Sequence, residues 1–215
     1  MSKRRNIPAH GRKAARSRRP RKRRYLVAAG GAVTERQYFK QLESLYNVVI
    51  DYRQKNNSPA QLADFAVKLK EDDERDKFTD SYAKIWVVVD VDNFHDHGMA
   101  AKTCKDNGIE LIISNPCFEV WLLDHVRVCP SSFMQTATVE AAAAEAGIVG
   151  GKHNKYISIE LIDENHLEVA LRNAKYHNRE ENKCRRKSLV ANHEQEYAPW
   201  TDMPKIIKEL EQSNK

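Results

Sequence analysis

Apolar residues fall in short blocks along this chain, and two spacings alternate between the blocks. Tyr25-Leu26-Val27-Ala28-Ala29 is an unbroken apolar run closed by Gly30-Gly31, the form of a short buried strand. Tyr38, Phe39, Leu42, Leu45 and Tyr46 then recur at helical spacing, and Thr34-Glu35-Arg36-Gln37 has the form of a capping box opening that helix. Val48-Val49-Ile50-Asp51-Tyr52 predicts a second strand. Ser58-Pro59-Ala60-Gln61 repeats the start signal with Pro at the first helical position, ahead of the stripe Leu62, Phe65, Ala66 and Leu69. Ile85-Trp86-Val87-Val88-Val89 is apolar on both faces, as a strand in the middle of a helix-covered sheet should be. A polar segment over 93–107 reads as a helix capped by Gly108, and Ile109 to Ile113 as a fourth strand. Strands alternating with helices predict an α/β fold with a mostly parallel sheet.

From Pro116 onward the pattern turns helical. Pro116 suits a first helical turn, and Phe118, Trp121, Leu122 and His125 can share one face. Ala141 to Ala146 ends at Gly147, residues 163–179 carry Leu167, Ala170, Leu171 and Ala174 inward, and a last helix starts near Asp202 with Ile206, Ile207 and Leu210. Residues 180–200 read as polar and irregular.

Charge changes this picture at one end. The 215 residues have a net charge of +6, a pI near 9.1 and a mean hydropathy of −0.70. Residues 1–24 hold twelve Lys or Arg and no acid, leaving 24 basic against 30 acidic residues and a body (25–215) of net −6. The reading is a disordered basic arm over 1–24 and one domain over 25–215. Dense Arg and Lys without acids is the footprint of a phosphate-binding segment, which names Arg12, Arg18, Arg19, Arg21, Lys22, Arg23 and Arg24 as nucleic-acid contacts. A second basic knot adds Arg185 and Arg186. No apolar run approaches the roughly 20 residues of a membrane span. Four scattered cysteines without a Cys-x-x-Cys pair point to reduced thiols in the cytoplasm. Cys117, His125 and Cys129 are close in sequence but match no standard zinc spacing.

Candidate chemistry gathers at the strand ends. Asp90-Val91-Asp92 follows the most buried strand, and ligands of open α/β sheets bind outside the carboxyl ends of strands. Two Asp residues separated by one position point to the same side of an extended backbone, where they can share a hard cation such as Mg²⁺; capping the next helix is their other use. Glu35 lies just past the first strand, and neighbouring first and third strands would bring it towards Asp90 and Asp92. An acid in a helix's first turn is also favourable against the macrodipole. Ser114-Asn115-Pro116-Cys117-Phe118-Glu119 follows the fourth strand and offers Glu119, while His95, Asp96 and His97 add potential ligands nearby. The chain has no Gly-x-Ser-x-Gly elbow, no Gly-x-x-x-x-Gly-Lys-Ser/Thr loop and no Gly-x-Gly-x-x-Gly after the first strand, which argues against hydrolase, kinase, ATPase and dehydrogenase chemistries built on them.

The series from Leu26 to Gly31, Thr34-Glu35 with Tyr38-Phe39, Val87 to Asp92, and Ser114-Asn115-Pro116-Cys117-Phe118-Glu119 followed by Trp121-Leu122-Leu123 and His125 resembles the RloB-like family. The likeness runs over about residues 24–212 and leaves out the arm. It implies a Toprim-like, Rossmann-related domain with a helical C-terminal part, and a metal-dependent nuclease acting in bacterial or archaeal anti-phage defence. The implied cofactor is Mg²⁺ or Mn²⁺, and the implied partners are RNA or DNA, an ABC-type ATPase and a homo-oligomeric copy. Asp90 and Asp92 take the Asp-x-Asp metal role, with Glu35 and Glu119 matching the family's other acids. The family's Glu-Gly at the first strand end is Gly30-Gly31 here. Three accounts follow: Glu35 or Glu119 supplies the carboxylate; the domain is a catalytically degenerate nucleic-acid-binding or regulatory subunit; or Gly30 is a substitution.

Overall fold

The computed structural model describes residues 22–91, 94–179, 193, 196 and 198–213. Four parallel strands and one antiparallel strand form its main sheet: β1 (Arg24–Ala29), β2 (Val49–Gln54), β3 (Lys84–Asp90), β4 (Glu110–Asn115) and β7 (Trp200–Thr201), in the order β2-β1-β3-β4-β7. Between them run helices α1 (Thr34–Leu45), α2 (Pro59–Arg75) and α3 (His97–Asp106). After β4 come α4 (Glu119–Asp124), α5 (Thr136–Glu145), a hairpin of β5 (Val149–Gly150) and β6 (Tyr156–Ile157), α6 (Glu164–His177) and, past β7, α7 (Met203–Ser213). This is a mixed α/β, Rossmann-like architecture.

The double-faced apolar strands explain the layers. Successive strand residues point to opposite faces, and each face buries a separate cluster. Tyr25, Val27, Ala29, Trp86, Val88 and Ile112 face Tyr38, Phe39 and Leu42 of α1, Trp121 and Leu122 of α4, Leu167 and Ala170 of α6, and Ile206 and Leu210 of α7. Leu26, Ala28, Ile85, Val87, Val89 and Ile113 face Leu62, Ala63 and Ala66 of α2 and Ala100 and Cys104 of α3. Tyr25 and Trp86 stack across neighbouring strands with centroids 5.1 Å apart. Residues Tyr25 to Ala29 are all fully buried, so a polar residue anywhere in that run would lose its water without a partner. A smaller cluster of Val120, Leu123, Val139 and Ala142 joins α4 to α5.

The chain leaves β1 towards β2 on one side and returns to place β3 on the other. The order therefore reverses at β1, which puts a topological switch point between β1 and β3.

The start signals fare differently. Ser58 caps α2 with a reciprocal capping box to Gln61 and Pro59 in its first turn, as the sequence predicts. At α1 the expected box is absent: Val33 is the N-cap, with no side-chain capping bond. Thr34 Oγ1 instead donates to Lys155 O at 3.2 Å, and Gln37 Oε1 accepts from Ile157 N at 3.2 Å. Both polar side chains serve the β5–β6 hairpin, a long-range use that local pattern does not reveal. Likewise α4 begins at Glu119, not at Pro116, with Phe118 as its N-cap residue. Gly108 and Gly147 follow α3 and α5 at φ 65° and 73°, the left-handed conformation that ends a helix.

Candidate active site

A cavity of 380 Å³ opens at the switch point, over the carboxyl ends of β1, β3 and β4. Gly30 to Glu35 wall one side, Asp90 the floor, and Cys117 to Glu119 with Glu140 and Lys155 the other side. Glu35, Asp90 and Glu119, from three separate segments, thus line one space, as adjacency of the first and third strands requires.

The glycine turn after β1 makes room for Glu35. A Cβ on Gly31 would lie 1.8 Å from both Glu35 carboxylate oxygens, so that carboxylate occupies the place of a side chain at 31. A Cβ on Gly30 would meet nothing within 4 Å. The turn is tied to β2: Tyr52 Oη donates to Gly31 O at 2.5 Å and Gln54 Nε2 to Gly30 O at 3.0 Å. Burial raises the Tyr52 phenol's pKa, and the negative charges of Glu35 and Asp90 raise it further against Arg36, so this hydroxyl stays a donor.

Asp90 ends β3 half-buried. His97 is fully buried, and its Nε2 donates to Asp90 O at 2.9 Å. The next residue, Val91, donates its N–H to Ser114 O and Pro116 O at 3.2 and 3.1 Å, fixing the β3 end against the β4 end. His97 therefore serves the backbone below the cavity, and Asp96 accepts from Ser58 Oγ at 2.5 Å. Asp92 lies outside the described residues.

Glu119, the first residue of α4, is 5% exposed. Burial raises its pKa, opposed by Lys155 and by a hydrogen bond with Cys117. The Cys117 thiol is pushed up in turn, by burial and then by Glu119 and Asp90, which keeps it protonated. Lys155 Nζ stands 3.9 Å from Glu119 Oε1 and 3.2 Å from Glu140 Oε1. Burial lowers the Lys155 pKa, but Glu119, Glu140 and Glu35 raise it by more, so the ammonium stays charged. Lys155 and Glu140 carry no sequence signature that we read; only the Gly150-Gly151 pair marks the approach to Lys155 as a turn.

The oxygen-only carboxylates of Glu35, Asp90 and Glu119 suit a hard divalent cation in kind. Among the described residues no three His, Cys, Asp or Glu side chains are already gathered to hold one. Glu119 faces Lys155, so filling such a site requires side chains to turn.

Other titratable groups are buried away from the cavity. Asp124 Oδ2 accepts from His177 Nε2 at 2.7 Å and Oδ1 from Cys129 N at 3.2 Å. His125 Nδ1 donates to Trp121 O at 2.9 Å, which leaves Nε2 to accept from Tyr38 Oη at 3.4 Å. Tyr38 Oη itself accepts from Trp121 Nε1 at 2.6 Å. The spacing of Cys117, His125 and Cys129 therefore serves packing. Cys104, Cys117 and Cys129 are free and buried.

Of the expected nucleic-acid contacts, Arg12, Arg18, Arg19, Arg21, Arg185 and Arg186 lie outside the described residues. Lys22 and Arg23 are exposed, and Arg23 Nη1 donates to Ser213 Oγ at 3.0 Å. Arg24 is the first residue of β1 and belongs to the domain: its guanidinium bonds Asp73 Oδ1 at 3.0 Å and lies 4.3 Å from the Tyr82 ring centroid. All three sit at the amino end of β1, across the sheet from the cavity. No helix among the described residues is long and apolar enough to cross a membrane.

Comparison with known proteins adds one assignment. No curated protein and no solved structure matches the chain. The model of the RloB-like protein family matches residues 25–210, which take in all of the sheet but Arg24, every cavity-lining segment and most of α7, and the chain belongs to that family.

Proposed function

We propose that this RloB-like chain is a Mg²⁺- or Mn²⁺-dependent nuclease that cleaves phosphodiester bonds of RNA or DNA. The observation that carries the reading is the meeting of Glu35, Asp90 and Glu119 in one cavity at the switch point of the sheet. Asp90 and Asp92, with Glu35 or Glu119, would hold the cation, which supplies polarisation of the phosphoryl oxygen and stabilises charge on the attacking and leaving oxygens. Gly31 lets Glu35 reach the strand end, and His97 and Val91 fix the backbone that presents Asp90. The basic arm binds backbone phosphates, an affinity that falls steeply with salt and reads little sequence. A role in cytoplasmic anti-phage defence, beside an ABC-type ATPase and in a homo-oligomer, rests on the family resemblance alone.

The test is cleavage of end-labelled single-stranded and duplex RNA and DNA with Mg²⁺ or Mn²⁺. Metal-dependent products from the wild type, lost in Asp90→Ala, are expected. Gly30 favours a second reading, a degenerate nucleic-acid-binding or regulatory subunit. That reading expects salt-sensitive binding unchanged by Asp90→Ala and no turnover, with cleavage gained only in Gly30→Glu, whose side chain has open space to enter.

A further inference from the structure

We propose that Lys155 is the residue that binds the substrate's phosphate oxygen in this cavity, leaving Glu119 and Glu140 to do so. The inference deepens the nuclease reading and rests on it for the identity of the substrate. Among the described residues lining the cavity the charges are four carboxylates, Glu35, Asp90, Glu119 and Glu140, against the single ammonium of Lys155. A phosphodiester entering there meets one group able to attract it directly, and lysine binds phosphate as a flexible point charge.

The backbone around Lys155 is held by other segments, while its side chain meets only exposed or distant partners. Gly151, His153 and Asn154 all have positive φ, at 69°, 57° and 52°. For a residue such as His153 the left-handed conformation costs on the order of 1 kcal/mol and is retained where surrounding contacts impose it. Those contacts are present. Thr34 Oγ1 holds Lys155 O, Gln37 holds the N–H of Ile157, and both residues belong to the turn of α1 that carries Glu35. Lys155 and Glu35 are thereby set in register. The Lys155 side chain is 45% exposed; its 3.9 Å approach to Glu119 is beyond hydrogen-bond reach, and its one short contact, 3.2 Å to Glu140 Oε1, is to a carboxylate that is itself 41% exposed. An ion pair this open contributes little, so exchanging it for a phosphate oxygen is cheap. The alternative role for Lys155 is a simple clamp between the hairpin and α5 through Glu140.

The two roles predict opposite signs at Glu140. The probes are the dinucleotides pUpU and pdTpdT, titrated into the 215-residue chain in EDTA at low salt. Lys155→Met should weaken binding by about tenfold, Lys155→Arg should keep it near the wild-type value, and Glu140→Gln should tighten it. Circular dichroism confirms that each variant is folded. The proposal is overturned if the wild type binds neither dinucleotide, if Lys155→Met binds as the wild type does, or if Glu140→Gln weakens binding as Lys155→Met does. Preference for pUpU or pdTpdT assigns the sugar. A wild type that shows this binding pattern but cleaves nothing with Mg²⁺ or Mn²⁺ would refute the nuclease reading and leave the assignment of Lys155 standing.

Discussion

Helix α4 carries a buried acid at each end, and the two could hardly be used more differently. Glu119 and Asp124 are 5% and 0% exposed, and burial raises the pKa of both. Asp124 is enclosed: His177 donates to one oxygen and the Cys129 N–H to the other. Its chemistry is spent on joining α4 to α6 and to the loop before α5. Glu119 looks into the cavity, its neighbours being a thiol and a half-exposed lysine that can swing away. A raised pKa and burial therefore do not separate a structural acid from a functional one. What separates them is access and the mobility of the partner.

The comparison breaks most visibly under mutation. Asp124→Ala strips the partner from buried His177 and should cost about 3–5 kcal/mol, seen as a lowered midpoint in urea unfolding. Glu119→Gln should leave that midpoint within about 1 kcal/mol and lower cleavage instead; the reverse pattern would assign the roles the other way round.

A second effect is a pH dependence from the other polar end of α4. Burial lowers His125 from 6.5 to about 4. Because the folded value lies below the unfolded one, the unfolded chain binds more protons between those values, and stability falls as pH drops through that window. The total is about 3 kcal/mol at 1.36 kcal/mol per unit. Thermal melts from pH 7 to 4 should show the slope, and His125→Gln should flatten it.

The glycines sharpen the cavity side. Gly31→Ala puts its Cβ where the Glu35 carboxylate lies, at the far end of a side chain that can turn away, so the fold survives and Glu35 is re-aimed. Cleavage should fall by about tenfold, a loss near 1.4 kcal/mol, while Gly30→Ala should be nearly silent. The smallest expected effect is Ser58→Ala, which removes the α2 cap and a hydrogen bond to Asp96; about 1 kcal/mol of stability with unchanged cleavage would mark it as purely structural.

Elements whose pattern is local were legible in the sequence. The apolar runs at 25–29 and 85–89 and the Ser58-Pro59 start follow from periodicity and capping chemistry, and the parallel order follows from the alternation of strands and helices. Glu35, Asp90 and Glu119 were legible because strand ends are where such folds place ligands. The rest depended on contacts far apart in sequence. Thr34 and Gln37 look like a cap but are bonded to residues 155 and 157. Lys155 reaches the site from the turn of a hairpin whose strands are two residues long, with no periodicity to read. The two-residue strand β7 is likewise too short to leave a pattern; it pairs with Ser114 and Asn115 at the sheet edge.

The most direct test of the central claim, that the switch-point cavity is a cation-dependent phosphodiester site, is anomalous scattering from a crystal soaked in Mn²⁺. The account predicts a peak about 2.2 Å from an Asp90 carboxylate oxygen, with Glu35 or Glu119 as a further ligand, and its disappearance in Asp90→Ala. Anomalous density confined to other parts of the molecule, with the cavity empty at saturating Mn²⁺, would contradict it.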